Sequence, residues 1–204
     1  MSTDADPSAL RRSLGDYLER TVEALRTIDL DLVARVVQRI EAAYREGRRV
    51  LVFGNGGSAT TASHLAEDLA TYAIPFRVPR RLEVLSLSES PSVITALAND
   101  IAFDQVFAEQ VQQWARPGDL VIAMSGSGNS PNILAGVERA RRIGAATVGL
   151  TGFDGGRLGK LVDIHLHVGI DAMQNAQDGH MVIVHLIIDG FRRRVRAQLG
   201  EAEG

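Results

Sequence analysis

The chain has 204 residues, 45% hydrophobic and 23% charged, with a formal net charge of −3 and no cysteine. This composition suffices for a full core, carries no basic footprint for nucleic acid, and excludes disulfides, thiolate nucleophiles and cysteine-ligated zinc. No apolar run approaches the roughly 20 residues that span a bilayer, and the opening MSTDADPSALRR lacks a signal-peptide core, so a cytoplasmic protein without nucleic-acid or membrane partners is expected.

Two helices open the chain. Leu10, Leu14, Leu18, Val22 and Leu25 recur at helical spacing and predict a helix over 8–27. Its apolar stripe is narrow and suits local packing or a helix–helix seam equally. Val33, Val36, Val37, Ile40 and Tyr44 predict a second helix over 31–46, stopped by Gly47. Residues 1–47 thus read as a helical extension preceding an α/β core over 48–200, the whole forming one domain.

The core opens with Val50, Leu51, Val52 and Phe53, an uninterrupted apolar run of the kind found in a parallel strand buried on both faces. The turn Gly54-Asn55-Gly56-Gly57-Ser58 follows, with Ser58 the expected N-cap of a helix through Leu69. A strand, a glycine turn and a helix N-terminus in this order form an anion site, because free amides and the positive end of the helix dipole face one spot. Further strands are expected at 82–87, 120–124, 146–150 and 163–168. Helices are expected near 59–70, 91–98, 104–115, 131–142 and 173–198. Such alternation predicts an α/β fold: a flavodoxin-like, doubly wound, five-stranded parallel sheet whose ligands sit at the C-terminal strand edge.

The strand at 120–124 runs into Ser125-Gly126-Ser127-Gly128-Asn129-Ser130, with Ser130 as N-cap and Pro131 at N1 of the next helix. Three hydroxyls and several amides at one helix start suit a phosphate monoester, although an ordinary serine–glycine connection fits the same residues. No G-x-x-x-x-G-K-[ST] string is present, and the stretch from Gly54 to Ala59 meets only the loosest dinucleotide pattern, without an acid ending the second strand.

His64 and Asp68, four apart, share a helix face. Gln177 and His185, eight apart, lie about 80° from one another around the last helix, while His180 points about 60° away from Gln177. Residues 181–188 are otherwise apolar, which predicts a buried His185 in need of a metal, a carboxylate or a backbone carbonyl. His64, Asp68, Gln177 and His185 are therefore candidate ligands of one metal ion if the two helices meet.

Taken together, GNGGS, HLAED, ALAND, SGSGNS and LTGFDGG, with Gln177 and His185, resemble the sugar isomerase (SIS) domain family, and within it the bacterial phosphoheptose isomerases. The resemblance spans nearly the whole chain. It implies a homotetramer with active sites at subunit interfaces, interconverting sedoheptulose 7-phosphate and D-glycero-D-manno-heptose 7-phosphate through an enediolate. It further implies that Asn55, Gly56, Gly57, Asn99 and Asp100 contact substrate, the last two from a turn. Ser125, Ser127 and Ser130, with Gly126 among them, would hold the phosphate. His64, Asp68, Gln177 and His185 would bind one zinc ion per subunit, Gln177 also touching substrate and Asp68 and His185 forming the acid/base pair. This chain has Asp68 where the family has glutamate, Gly126 where threonine is frequent, Tyr72 in place of an arginine and Gln174 in place of an aspartate. A non-catalytic phosphosugar-binding module and a scaffold for the replication initiator are the alternatives within the same family.

Overall fold

The computed structural model describes residues 7–201; the first six residues of the expected N-terminal extension lie outside the described residues. Two helices, α1 (Pro7–Leu25) and α2 (Leu30–Glu46), lead into β1 (Arg49–Gly54), α3 (Gly57–Thr71), β2 (Glu83–Ser86) and α4 (Pro91–Asp100). A single 3-10 turn then precedes α5 (Val106–Trp114), and β3 (Leu120–Ser125), α6 (Pro131–Ile143), β4 (Ala146–Thr151), α7 (Gly156–Leu161), β5 (Ile164–His167) and α8 (Met173–Gln198) complete the order. The five strands are all parallel in the order β2-β1-β3-β4-β5, the flavodoxin-type arrangement.

Alternate residues of a strand face opposite sides of the sheet, and here both sides are covered. Val50, Val52, Ile122 and Met124 join α2, α3 and α8 through Ile40, Leu65, Ile183 and Phe191. Leu51, Phe53, Val121 and Ala123 face α5 and α6, where Phe53 stacks on Phe107 with ring centroids 4.8 Å apart. Double coverage explains why β1 and β3 carry no polar alternation. β2, at the sheet edge, alternates exposed and half-buried residues.

Several boundaries differ from the sequence-based expectations. α3 begins at Gly57, and its N-cap is Gly56 (φ 53°, ψ −122°) rather than Ser58, since that backbone conformation disfavours any side chain. ALAND is not a turn: α4 continues through Asn99 and Asp100 because Leu97 and Ala98 still pack on the second core. The short α7, GRLGKL, has too few turns to leave a periodic signature. No helix among the described residues is long and apolar enough to cross a membrane.

Among the described residues, α1 enters a core only through Ala24, near its C-terminal end. Leu10, Leu14 and Leu18 are each about 60% exposed. The helix is held to α8 by polar contacts instead: Tyr17 donates to Asp178, and the Asn175 amide donates to Thr21 Oγ1 at 2.7 Å. Within one chain Leu10, Leu14, Leu18 and Val22 stay exposed, while Leu25 is half-buried.

Candidate active site

β1 and β3 are neighbours, and Gly54 pairs with Met124, so the loops that follow them leave the sheet side by side. This is where the strand order reverses, the position at which open α/β sheets bind ligands. At Gly54 a Cβ would sit 2.6 Å from the backbone carbonyl of Ser58, so α3 folds directly over the strand end. The Ser58 and Ala59 amides turn onto the Asn55 carbonyl at 3.0 and 3.3 Å, whereas the Gly56 and Gly57 amides have no backbone acceptor among the described residues. The free donors of the anion site are therefore the glycine amides, since the cap lies two residues earlier than the expected Ser58.

The two loops are clasped together. The carboxamides of Asn55 and Asn132 exchange a pair of hydrogen bonds, each 2.9 Å, and Asn132 is almost fully buried at the start of α6. Asn132 was not among the expected site residues; an asparagine following Ser130-Pro131 is its only trace in the sequence. Ser130 does occupy the N-cap of α6, but its hydroxyl makes no cap bond and meets Ser125 Oγ at 3.2 Å instead. Gly128, with φ 65°, closes the serine loop by donating to the Ser125 carbonyl at 3.0 Å. The result is a cavity of about 270 Å³ between Gly56, Gly57, Ser125, Ser127 and Ser130 on one side and Met173 and Gln177 of α8 on the other. Gly126 also lines it.

Next to this cavity α3 and α8 run side by side in the same direction. The Gln177 carboxamide rests against Gly57, where a Cβ would come within 2.6 Å of its oxygen. Farther along both helices, His64 Nε2 lies 3.0 Å from His185 Nε2 and 3.4 Å from Asp68 Oδ2. One ligand atom from each of His64, Asp68 and His185 lies within 4.8 Å of the others. Donors 2.0–2.2 Å from a tetrahedral zinc ion are separated by about 3.3 Å, so the imidazole–carboxylate trio fits such an ion in chemistry and spacing. No hydrogen bond joins Gln177 to the trio among the described residues.

One sequence expectation needs correction here. His185 is exposed, not buried, because Ile183, Val184, Ile187 and Ile188 take the inward face of that stretch. The buried histidine is His180, fully enclosed, and neither ring nitrogen makes a hydrogen bond of proper geometry among the described residues. Burial pushes its pKa below the ordinary histidine value; the nearby Thr151 backbone partly opposes this without forming a proper hydrogen bond, and the charge of His167 adds to the depression. Asn99 and Asp100 are exposed, bond to each other at 2.8 Å, and do not line the cavity within one chain.

The SIS domain family model matches residues 15–152. The phosphoheptose isomerase of Pelobacter propionicus is 41% identical over 180 residues, covering 88% of this chain and 90% of that protein. A probable phosphoheptose isomerase of Thermoplasma acidophilum is 37% identical over 171 residues, 84% of this chain and 93% of that protein. Among solved structures, a phosphoheptose isomerase from Francisella tularensis superimposes with a TM-score of 0.83 at 28% identity, over 91% of this chain and 97% of its own. With the family model matching most of the chain, and relatives of this identity extending through α8, the chain belongs to the SIS domain family and groups within it with the phosphoheptose isomerases.

Proposed function

We propose that this chain is an aldose–ketose isomerase that interconverts sedoheptulose 7-phosphate and D-glycero-D-manno-heptose 7-phosphate. The observation that carries this reading is the meeting of His64, Asp68 and His185 beside the serine-loop cavity, in a chain whose relatives are phosphoheptose isomerases. The phosphate is received by the Gly56 and Gly57 amides and by the hydroxyls of Ser125, Ser127 and Ser130, a neutral cradle at two helix N-termini. Asn55 holds the cradle in shape through Asn132, with Gln177 along its wall. The sugar's reactive end extends toward the trio. There Asp68 removes the proton alpha to the carbonyl, and His185 moves the proton that the neighbouring centre of the enediolate requires; a carboxylate and an imidazole can exchange these roles in the reverse direction. His64, Asp68 and His185, with Gln177 from the same broad face of α8, would hold zinc, which when bound polarises a carbonyl and stabilises the developing oxyanion.

A homotetramer with sites at subunit interfaces is part of the proposal. It is supported by the exposed leucines of α1, by the exposure of His185, and by a cavity just below the roughly 300–1,000 Å³ usual for ligand sites. The lack of cysteine is compatible with a cytoplasmic setting.

Purified protein incubated with sedoheptulose 7-phosphate, with and without zinc, tests the reading. Turnover is expected, and His185→Ala should lower kcat by about 10²–10⁴-fold while the assembly survives. Absence of turnover both with and without zinc overturns the isomerase reading; full turnover by His185→Ala overturns the acid/base assignment.

A further inference from the structure

We infer that Met173 is a specificity-determining residue of the sugar cavity, acting through a volume that it shares with Gly126. The inference rests on the phosphosugar reading above and goes beyond it by naming what limits the sugar's bulk. Met173 is the first residue of α8, sits at the cavity mouth and is 37% exposed. Its thioether lies over Gly126: a Cβ built there would collide with Met173 Sδ and come within 3.1 Å of Cε.

Gly126 is not a glycine for backbone reasons. Its φ lies outside the left-handed region, so any residue could adopt its conformation. What meets a side chain there is the methionine, which would have to swing into the cavity to make room. Nor can the loop retreat, because the Gly126 carbonyl is pinned by the Gly152 amide at 2.8 Å, and Gly152 in turn has Ala176 packed against it. With one partner pinned, the Met173 side chain sets the free width above the loop.

The chemistry of this wall differs from the rest of the cavity. Apart from the buried Met124 at its floor, the cavity is lined by serine hydroxyls, glycine amides and the Asn55 and Gln177 carboxamides, which offer hydrogen bonds; the thioether of Met173 offers almost none. An unbranched, polarisable side chain with three rotatable bonds fills space and yields to shape. Met173 therefore sorts phosphorylated ketoses by bulk and chain length, not by hydroxyl configuration. Discrimination by one carbon unit in an apolar contact is worth about 10–200-fold.

A mutant cycle tests this. Gly126→Ala, Met173→Ala and the double variant are compared for kcat/KM with sedoheptulose 7-phosphate and fructose 6-phosphate, with thermal unfolding confirming that each is folded. Met173→Ala is expected to lower the preference for the longer sugar by at least about tenfold, on the scale of one carbon unit. Gly126→Ala alone should lose about tenfold or more in kcat/KM, and adding Met173→Ala should recover most of that loss, since the two side chains then no longer compete. Additive losses, or an unchanged preference between the sugars, overturn the inference. If the wild type turns over neither sugar, the isomerase reading fails on its own. Calorimetry with inorganic phosphate on the same four proteins then decides the pair: coupled losses of affinity sustain it, and additive ones overturn it.

Discussion

Gly54 and Gly126 are both glycines in the candidate site, for different reasons. At Gly126 the obstacle to a side chain is a flexible methionine; at Gly54 it is the backbone of Ser58, at 2.6 Å, which cannot swing aside. Gly54→Ala is therefore expected to push α3 off the strand end and cost about 1–3 kcal/mol, as overpacking does. For a chain of this size that is a fall in Tm of about 2–4 °C per kcal/mol, read by calorimetry, and an unchanged Tm would show that the loop absorbs a methyl group. The same scale shows where residue-level reading stops. GNGGS announces a tight turn before a helix, and Ser58 is a chemically sound cap, yet the chain caps with Gly56 because only the folded backbone reveals a φ of 53° there. Similarly, helical spacing places His180 and His185 on different sides of α8, but which side faces the core is decided by what packs on it.

At the scale of elements, α1 is a helix with two kinds of surface. Its polar contacts, Tyr17 to Asp178 and Asn175 to Thr21, tie it to the first turns of α8, which also carry Met173 and Gln177. Its leucines face outward, and covering each is worth about 1.5–3 kcal/mol. As part of the proposed assembly, Leu14→Glu with Leu18→Glu is expected to yield smaller oligomers by light scattering, with the far-ultraviolet circular dichroism unchanged because both positions are exposed in the single chain. Persistence of the wild-type mass would place the seam elsewhere. Arg80 and Arg81, in the connection between α3 and β2, likewise find their explanation in elements. Arg80 donates to the Arg45 carbonyl at the end of α2, and Arg81 to the Ala70 carbonyl at the end of α3, both at 2.7 Å; each positive side chain thus meets the negative end of a helix. The long helices and the buried strands were legible from periodicity and apolar runs. α7 was not, since six residues with two glycines hold no repeating pattern.

For the whole molecule, His180 of α8 and His165 of β5 link stability to pH. Burial depresses the pKa of His180, and burial followed by the charge of neighbouring His167 depresses that of His165, whose ring meets Thr151 Oγ1 at 2.6 Å. Both groups bind protons less readily in the folded state than in the unfolded chain. Stability is therefore full above the ordinary histidine pKa of about 6.5 and declines as pH falls below it toward the folded-state values. Thermal unfolding at about pH 7.5 and about pH 5.5 should show a lower Tm in acid, with the drop reduced in His180→Leu; a Tm that rises on acidification would contradict the assignment. By itself the sequence determined the parallel sheet, its covered faces and the two loops rich in glycine and serine, because each follows from local chemistry: apolar runs, turn residues and helix caps that act within a few positions. Only the tertiary structure decided that α3 and α8 run side by side, bringing His64 and Asp68 to His185, that Asn132 clasps the loops and that Met173 overhangs Gly126. Those contacts join residues dozens of positions apart, and no periodicity along the chain encodes which faces of two distant helices will meet.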